Sequence, residues 1–507
     1  MRKIICLLVV SLMTLSSLNV SARNVPVDEA KAAAAFYMKL NCGSHGLTAD
    51  DMVLVHQIDN ELLGVPAVYF FNAGRSGWII MGANTAANAV LAFSECGSIV
   101  VEDMPEPMLL LLDDHATIIK AVQEAEEGTK FGETEEWSDL LSRRVTHNTK
   151  DNNHILMAEE WDQNGDNDGF ANGTTYDMMT PVIDGVHAPV GCVATALAQL
   201  CHYYRYPAQP RGKVKYTSET KQIAFDLSLD TVFFDYSKMP DKIISATPEE
   251  ERREVSELGY MIGVAMSMDY RADLSGASSL KVANTMVSKF KYARGKVTHR
   301  RSSFTGSAAD MINYSPYNQA VDDSTFLSRL RNDLLNNRVV YMDGSSSSGG
   351  AHAGGHAWLC CGYRDTNENM YYMNWGWGGH YNAWFNLKTN NLFIQYVRYN
   401  FKLGQGIITG IVPPADSTAI DIYAGIERAE DKTVLNPAYP NPAVSSVRLP
   451  YSITSDAEMV LYSMDGRVVD NIRLHAGEGY VDVRVADFPK GMYVYRVNGA
   501  TGRFVVQ

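Results

Sequence analysis

The chain has 507 residues, 46% hydrophobic and 20% charged, which is enough for about three domains with buried cores and excludes disorder over most of its length. Its formal net charge is −14 and it has no long basic cluster. This balance argues against nucleic acid and anionic membrane surfaces as partners.

The first residues are typical of an export signal. Arg2 and Lys3 precede the apolar segment IICLLVVSLMTL, and a site of small residues ends at Ala22. The apolar run is too short to span a bilayer, and polar sequence follows it. We therefore predict a signal peptide over 1–22 and an exported mature protein.

Cysteine use gives little evidence of a disulfide framework. Signal removal takes Cys6 away and leaves six of the seven cysteines, an even number that suits an exported protein. However, Cys360 and Cys361 are adjacent, and no CxxC pair indicates a zinc site. Cys42 and Cys96 remain a candidate bridge within the first domain.

A small α/β unit is predicted over 23–150. VDEAKAAAAFYMKL is typical of a helix, AVYFFNAG and GWIIMGAN of two strands joined by a turn, and MPEPMLLLLDDHATIIKAVQEAEE of a second helix. The polar stretch GETEEWSDLLSRRVTHNTKDNN indicates an exposed connector, where proteolytic cleavage is easy.

A larger α+β unit is predicted over 151–414, with a linker over 415–433. Its helices are expected at 191–204, 250–270, 279–290 and 325–336, and its strands at 338–343, 356–363, 370–375, 382–387 and around 407–412.

The last predicted unit, 434–507, begins with the proline-rich stretch LNPAYPNPA. Short segments that alternate apolar and polar residues follow it, with turns at Asp465-Gly466 and Lys490-Gly491. This pattern is typical of an all-β sandwich.

One cysteine stands at a predicted helix start. In APVGCVATALAQLCHYYRYP, Cys192 follows Pro189 and Gly191, which interrupt a helix, and it precedes a run of helix-forming residues. A thiol in this place meets unpaired backbone N–H groups and the positive end of the helix dipole, which lower a thiol pKa. Cys192 is therefore a candidate nucleophile, while the alternative is a small buried packing residue.

A histidine and an asparagine supply the other groups for nucleophilic catalysis. In SSSSGGAHAGGHAWLCCGY a loop leads into a strand that begins at His356, and the next strand, MYYMNWGWGG, ends in Asn374. A short turn joins these strands, so they should pair antiparallel and let Asn374 accept the imidazole N–H. Cys192, His356 and Asn374 then form a nucleophile, a base and an orienting residue. The Cys192 backbone N–H and the Gln163 side chain are candidate donors to an oxyanion.

These motifs resemble those of streptopain-type cysteine peptidases, bacterial enzymes with a papain-like fold. GCVATALAQ with YRYP, GGHAWLCCGY and NWGWGG carry the resemblance in the expected order, over roughly residues 155–414. VYFFNAGRSGWIIMGAN and VLAFSECGSI resemble the inhibitory propeptide of the same family. The expected fold class is therefore α+β, a papain-like peptidase domain preceded by a small α/β propeptide and followed by the all-β sandwich.

The resemblance implies a secreted cysteine endopeptidase made as a zymogen, with Cys192 as nucleophile, His356 as base and Asn374 orienting His356. The cleft-lining or shielding residues that it implies are Ser275, Gly355, Trp375 and Trp377. Its implied partners are protein or peptide substrates and the chain's own propeptide as inhibitor, removed near 141–154. It also implies a preference for an apolar residue just upstream of the cleaved bond.

The last unit is similar to the sorting domain of the type IX secretion route of Bacteroidetes, in YPNPA, LYSMDGRVV and GMYVYRV. This similarity implies an extracellular or outer-surface location. It also implies that the secretion machinery is a partner of 434–507.

No cofactor is expected for this chemistry. The loop 164–169, NGDNDG, is similar to the start of an EF-hand calcium loop, but Thr175 stands where the closing glutamate belongs. An acidic, glycine-rich surface loop explains the same residues without calcium.

Two other functions fit the same features. A Cys-His-Asn set also suits an acyltransferase of the transglutaminase-like kind, which would incorporate amines. A surface adhesin could keep the scaffold without activity, and its Cys192 would then be unreactive.

Overall fold

The computed structural model divides the chain into two compact units, residues 1–413 and 414–507. It describes residues 21–43, 46–74, 76–104, 106–125, 131–147, 149–300, 319–345, 355–388, 405–414, 434–435, 438–453, 456–463, 468–486, 488–497 and 500–507. The predicted signal peptide up to residue 20, the predicted linker 415–433 and the Ser/Gly loop 346–354 lie outside these ranges. Within them, no helix combines the length and the apolar character needed to cross a membrane.

The helices of the first unit lie close to where the sequence predicts most of them. They are α1 (Val27–Asn41), α2 (Glu106–Gln123), α3 (Glu135–Leu141), α4 (Cys192–Tyr204), α5 (Glu249–Ala265), α6 (Val282–Ser288) and α7 (Asp323–Leu335).

The strands of the first unit vary in length from two to ten residues. They are β1 (Met52–Asn60), β2 (Val65–Ala73), β3 (Trp78–Gly82), β4 (Val90–Ser94), β5 (Asn153–Ile155), β6 (Val182–Ile183), β7 (Val186–His187), β8 (Lys213–Thr217), β9 (Ala224–Ser228), β10 (Lys296–Arg300), β11 (Gln319–Val321), β12 (Val340–Ser345), β13 (Gly355–Arg364), β14 (Met370–Asn374), β15 (Ala383–Asn386) and β16 (Gly406–Thr409).

Local sequence explains where two helices begin. Pro26 precedes α1 and cannot lie inside a helix, and Asp28 in the first turn of α1 is near the positive end of the helix dipole. Gly191 precedes α4 with φ +91°, a conformation that glycine adopts without strain. The helix therefore starts at Cys192.

One large sheet runs through the first unit, in the order β1-β2-β3-β4-β15-β14-β13-β12-β16-β10-β11, with β5 paired to β13. Neighbours are antiparallel except for β10 and β11. The pairing of β4 with β15, Phe93 opposite Trp384 and Ala92 opposite Phe385, joins the N-terminal strands to the rest. The predicted first and second domains therefore share a sheet.

Helices cover both faces of this sheet. On one face α4 and α5 pack against Ala357, Leu359 and Cys361 of β13. On the other face α2 and α7 cover Trp358 and Cys360 of the same strand. The alternation predicted for this strand is therefore confirmed. A third core lies between α1 and the N-terminal strands and includes Trp384 of β15.

The predicted exposed connector is in part a packed helix. Thr134 caps α3 by accepting a hydrogen bond from the Trp137 N–H at 3.3 Å, and Trp137 and Leu140 are buried. Asp139 is buried as well and forms an ion pair with Arg144. The polar composition of the stretch hides its two apolar anchors, so the prediction is wrong for 135–141.

The second unit is built from strands only, in its described residues. They are β17 (Val434–Leu435), β18 (Ser446–Ile453), β19 (Ala457–Ser463), β20 (Val468–Leu474), β21 (Gly477–Arg484), β22 (Gly491–Val497) and β23 (Ala500–Val506). They form the sheets β17-β18-β21 and β20-β19-β22-β23. Val447 and Leu449 of one sheet share a core with Leu461 and Phe504 of the other, which is the packing of a sandwich.

Candidate active site

Cys192 is held at the start of α4 by a closely packed glycine. An added Cβ at Gly191 would lie 2.8 Å from the Ser275 carbonyl oxygen and 2.9 Å from the Met268 side chain. This lack of space and the φ of +91° both require glycine at that position. The same packing puts Ser275, a predicted cleft residue, beside the start of α4.

The thiol of Cys192 is enclosed by protein, although the residue keeps part of its surface exposed. Burial raises the pKa of the thiol and the charge of Asp343 raises it too, while the backbone amides of Ala357 and Val193 lower it. The net direction is upward. The lowered pKa expected from a helix start is therefore not found in this conformation, and a protonated thiol is a weak nucleophile.

His356, the second residue of β13, lies among tryptophan rings. Its ring centroid is 6.2 Å from that of Trp358, 6.5 Å from that of Trp375 and 5.6 Å from that of Trp377. Nε2 of His356 lies 2.9 Å from the backbone carbonyl oxygen of Trp375. Because a carbonyl only accepts, Nε2 carries the proton. Burial lowers the pKa of His356 to about 4 against the opposing effect of that carbonyl, so the imidazole is neutral at pH 7.

The structure brings the backbone next to His356 up to the Cys192 thiol, but the two side chains do not bond to each other. The amide of Ala357, one residue after His356, acts on the Cys192 thiol. Ala357 packs on the face of the sheet that carries α4, whereas the His356 ring stacks with Trp358 of the opposite face. Within the described part of the chain, no hydrogen bond links the thiol to the ring.

Asn374 does not contact His356. Its Nδ2 donates to the backbone oxygen of Glu159 at 2.6 Å and to Oε1 of Gln199 at 3.1 Å, and its Oδ1 accepts from the Gly376 N–H at 3.0 Å. The orienting role predicted for the Asn374 side chain is thus filled here by the carbonyl of the next residue. Asn374 instead ties the end of β14 to the helix that starts with the candidate nucleophile.

Gln163, the predicted oxyanion donor, lies next to the segment that leads into α4. Its backbone oxygen accepts from the Val190 N–H at 2.9 Å. Gly355, a predicted cleft residue, is exposed at the first position of β13. Both residues therefore border the region around Cys192 and His356.

The loop after β14 is seated directly on α4. An added Cβ at Gly376 would lie 3.1 Å from the Thr195 side chain, and its φ is +72°. Trp375 is 1% exposed and donates from Nε1 to the Tyr381 carbonyl at 3.0 Å. Trp375, for which a shielding role is predicted, is thus a buried ring fixed by a hydrogen bond. Trp377, the other residue with this predicted role, contacts the His356 ring edge to face.

The N-terminal strands contact the segment that carries these tryptophans. The Tyr381 hydroxyl donates to the Val100 carbonyl at 2.8 Å. Trp384 on β15 stacks on Phe93 of β4, with ring centroids 6.3 Å apart. The N-terminal part of the chain thus lies against the loop and strand that follow the His356 hydrogen-bond partner.

A buried arginine strengthens this contact. Arg364 at the end of β13 is 1% exposed and donates at 2.5 Å to both the Tyr37 hydroxyl and the Asn41 side-chain oxygen of α1. Its guanidinium also lies 5.5 Å from the Phe93 ring centroid. The buried Arg364 cation of the second predicted domain is therefore stabilised by side chains of the first predicted domain.

Two clusters of acidic residues contain atoms of the kind that bind metal ions, the loop 164–169 and the group around Glu159. In the loop 164–169, Asp166 accepts from Asn164 Nδ2 at 2.6 Å, whereas the Asp168 carboxylate faces Gly378, so the two carboxylates point to different neighbours.

The second group brings ligand-type atoms of Glu159, His202 and Asp241 within 4.8 Å of one another. Both ring nitrogens of His202 already have partners, Glu159 Oε1 at 2.8 Å and the Met239 carbonyl at 3.0 Å.

The sequence reasoning missed two residues of the site. Gln199 lies within the quoted GCVATALAQ motif, seven positions after Cys192, and this spacing places both on one face of a helix. Asp343 lies in a strand that otherwise reads as core, and a carboxyl in such a strand is itself a signal, because buried acids are rare without a role.

Three family models match the chain in the predicted order. The Spi protease inhibitor model matches residues 22–119, the Peptidase C10 family model matches residues 170–385, and the secretion system C-terminal sorting domain model matches residues 437–507. The last match confirms the predicted extracellular or cell-surface location.

Known proteins show the same similarity. Streptopain from Streptococcus pyogenes is 23% identical over 382 residues, which are 72% of this chain and 85% of that protein. The thiol protease/hemagglutinin PrtT from Porphyromonas gingivalis is 24% identical over 398 residues, 77% of this chain and 40% of that protein. The solved prointerpain A fragment from Prevotella intermedia aligns with a TM-score of 0.51 at 18% identity, covering 72% of this chain and 99% of the fragment.

This structural likeness confirms the predicted papain-like fold with a propeptide. The chain is therefore a cysteine-type endopeptidase whose residues 170–385 match the Peptidase C10 family model, with a match to an inhibitor-type propeptide before them and a match to a secretion sorting domain after them.

Proposed function

We propose that the chain is a zymogen whose mature form hydrolyses peptide bonds of proteins through Cys192 and His356. The observation that carries this proposal is that the Ala357 amide approaches the Cys192 thiol. Because Ala357 follows His356 directly, this contact places the backbone of His356 beside the start of α4. The other cysteines of the peptidase domain are poor candidates, since all are buried; they are Cys201, Cys360 and Cys361.

Activation requires the His356 ring to leave the Trp375 carbonyl and turn toward Cys192. A change of side-chain rotamer swings the ring about the Cα–Cβ bond and breaks the hydrogen bond to that carbonyl. Beside Cys192 the imidazole takes the thiol proton, and a thiolate–imidazolium pair forms. The positive charge then lowers the pKa of Cys192, which reverses the direction found in the present conformation.

The reaction is an acyl transfer to sulfur followed by hydrolysis. The thiolate bonds to the substrate carbonyl carbon, and the backbone N–H of Cys192 and the Gln163 side chain donate to the oxygen that becomes negative. The C–N bond breaks as the His356 imidazolium gives its proton to the leaving amine. Water, losing a proton to His356, then attacks the thioester carbonyl carbon. The C–S bond breaks, the acid is released, and His356 returns the proton to the sulfur, which restores the thiol.

Asn374 serves this reaction as a positioning residue. It is hydrogen-bonded to Gln199 of α4 and precedes Trp375, whose carbonyl holds the His356 ring. It therefore fixes the distance between the helix of the nucleophile and the loop beside the base. Ser275 and Gly355 border the substrate, and Trp377 screens the imidazole from water.

The N-terminal domain keeps the enzyme inactive. It adds its strands to the peptidase sheet through β4 and β15, and it contacts Tyr381, which accepts from the Trp375 indole through its backbone oxygen. These contacts stabilise the loop in the conformation whose carbonyl retains His356. Removal of the domain frees both the loop and the ring.

The test compares mature wild type with Cys192→Ala and His356→Ala on a denatured protein substrate. We expect both variants to lose hydrolysis by at least about 10³-fold, because each removes one half of the nucleophile–base pair. The matched control is Cys361→Ala, which deletes a thiol of the same domain. Undiminished hydrolysis by Cys192→Ala would refute the proposal.

Two readouts separate the alternative functions. Incorporation of a labelled amine without net hydrolysis would indicate an acyltransferase. A Cys192 thiol that fails to react with iodoacetamide after the N-terminal domain is removed would indicate a scaffold without activity.

We also propose that the secretion machinery recognises residues 434–507. The support is the sorting-domain match over 437–507 and the separate compact unit that contains it. Deletion of this unit should leave the peptidase inside the cell, with its activity in lysates preserved. Export of the truncated chain would contradict this assignment.

A further inference from the structure

A carboxyl group lies one strand away from the candidate nucleophile. Asp343 of β12 is directly opposite Ala357 of β13, the residue whose amide approaches the Cys192 thiol. Directly paired residues of neighbouring strands project from the same face of a sheet. Ala357 packs in the core on the α4 face, so the Asp343 side chain is also on the face that carries Cys192.

The backbone around Asp343 is arranged to leave room for its carboxylate. Gly406 of β16 pairs with Asp343 from the other side, and an added Cβ at Gly406 would collide with the Asp343 Oδ1 atom. The Ser279 side chain and the Gly406 amide hydrogen-bond the carboxyl. The residue still keeps part of its surface exposed, so it is not sealed inside the core.

No cation among the described residues balances this carboxylate. Burial raises its pKa to about 6 against the opposing effects of the Ser279 side chain and backbone amides, and it is ionised at neutral pH. In the part of the chain that the structure describes, the titratable groups around it are Cys192 on α4, Tyr341 on β12 and His299 on β10. Burial lowers the pKa of His299, which leaves it neutral, and burial raises the pKa values of the other two.

A merely structural role does not account for the charge. An asparagine would make hydrogen bonds to Ser279 and to the Gly406 amide without the cost of placing an ion at a poorly solvated position. The negative charge also raises the pKa of Cys192, which works against forming a thiolate. Both costs disappear when a positive group pairs with the carboxylate.

We propose that Asp343 is a specificity residue of the substrate cleft, which binds the guanidinium or ammonium group of an arginine or lysine side chain next to the cleaved bond. This proposal rests on the hydrolysis proposed above. It differs from the apolar preference that the streptopain resemblance implies. It also means that a basic substrate promotes its own cleavage, because the bound cation cancels the repulsion between Asp343 and the Cys192 thiolate.

The first experiment uses the mature wild-type enzyme on a peptide library made from a digested proteome, with the cleaved bonds read by mass spectrometry. We expect arginine and lysine to be enriched at one position beside the cleaved bond. A preferred peptide is then compared with its citrulline analogue, which keeps the shape of arginine without the charge. The ratio of kcat/KM for arginine over citrulline should be about tenfold at pH 7.5. It should fall toward one at pH 5, where Asp343 is protonated.

The second experiment measures the same ratio in Asp343→Asn, with Asp226→Asn as the matched control. Asp226 is an exposed acid on β9, paired with Lys215. We expect the ratio to fall to less than about threefold in Asp343→Asn and to keep its wild-type value in Asp226→Asn. Titration of Cys192 with iodoacetamide gives the active fraction of each preparation, so misfolded enzyme does not affect the ratio.

The outcomes separate this proposal from the one it rests on. If Cys192→Ala still hydrolyses the library, the hydrolysis proposal fails. If wild type cleaves the library with no basic preference, or prefers arginine equally at pH 5 and pH 7.5, Asp343 does not recognise a cation. The wild-type measurements decide this even if Asp343→Asn cannot be matured.

Discussion

Nε2 of His356 lies 2.9 Å from the carbonyl oxygen of Trp375, so the partner of this ring nitrogen is a backbone carbonyl and not the Cys192 thiol. Burial lowers the pKa of His356 to about 4 and raises the pKa of Cys192. Both groups are therefore neutral at pH 7. The conformation with the N-terminal domain attached has the parts of a thiol peptidase but lacks the ion pair that would activate them.

The first prediction concerns the reactivity of Cys192 before and after maturation. In the full chain the raised pKa leaves little thiolate at pH 7, so alkylation of Cys192 should be slow and should rise steadily as pH increases. Once His356 can pair with the thiol, alkylation at pH 7 should become at least about tenfold faster. The measurement is the iodoacetamide rate between pH 5 and pH 10, read on the Cys192 peptide by mass spectrometry.

Cys96, which is exposed, serves as the reference thiol in the same digests of the full chain. The conformation described here would be inconsistent with a Cys192 that reacts as fast at pH 7 in the full chain as in the mature enzyme.

The second prediction concerns the hydrogen bond between Asn374 and Gln199, which joins α4 to the loop after β14. Asn374→Ala removes donors to Glu159 and Gln199, so it should lower the free energy of unfolding by about 1–3 kcal/mol. It should also lower kcat by about tenfold, because the loop beside His356 loses its link to α4. Gln199→Ala should produce a similar loss of kcat.

The double variant decides whether the two residues act together. Their effects on kcat should be clearly less than additive, since each single change breaks the same link. Asn332→Ala, an exposed asparagine on α7, is the control. If instead Asn374→Ala alone shifts the pH dependence of kcat and Gln199→Ala does not, Asn374 orients His356 directly in the mature enzyme.

The sequence predicts the parts of this site that depend on residue type and local backbone. Pro189 and Gly191 break any upstream helix, so Cys192 could be placed at a helix start from the sequence alone. The alternation in HAWLCC likewise predicts the two faces of β13. The atom that binds His356 is a backbone carbonyl, and no residue type reveals which carbonyl will accept a hydrogen bond.

The sequence alone also does not predict which distant strands pair. The pairing of Phe93 with Trp384 joins strands almost three hundred residues apart, and its register depends on the packing of the whole sheet. The same holds for Asp343, since its relation to Cys192 follows from the pairing of β12 with β13. The pKa directions depend on burial, which is a property of the assembled fold.

The third prediction concerns the buried arginine between the N-terminal domain and the peptidase. Tyr37→Phe removes one hydrogen bond to Arg364, whose side chain is otherwise enclosed by α1 and Phe93. Because the buried guanidinium then has one hydrogen-bond partner fewer, the free energy of unfolding of the full chain should fall by about 1–3 kcal/mol. Urea unfolding of the full chain measures this change, with Tyr480→Phe, an exposed tyrosine of the second unit, as the control.

A second readout ties the effect to inhibition. An isolated N-terminal domain carrying Tyr37→Phe should inhibit the mature enzyme less tightly, by about tenfold or more in the inhibition constant. Equal inhibition by wild-type and variant domains would mean that the Arg364 contact does not contribute to holding the propeptide.

The fourth prediction is a pH dependence built into the N-terminal domain. Burial raises the pKa of Glu136 on α3 to about 7, although its carboxylate accepts from the Ala89 N–H at 2.8 Å. The folded domain therefore prefers the protonated acid, whereas the unfolded chain ionises near its ordinary value of 4.5. Stability should then be highest below pH 4.5 and should decline as pH rises toward 7, by about 1–3 kcal/mol in total.

Glu136→Gln keeps an acceptor for the Ala89 amide but cannot ionise, so this part of the decline should vanish and the variant should be the more stable one at pH 7.5. The measurement is the urea midpoint of the full chain at steps between pH 4.5 and pH 8. Glu135→Gln, the exposed neighbour in the same turn, should leave the slope unchanged. A variant and a wild type whose stabilities fall in parallel would show that Glu136 is not ionising in this range. Loss of this slope in Glu136→Gln would show that ionisation of Glu136 destabilises the folded full chain as pH rises toward 7.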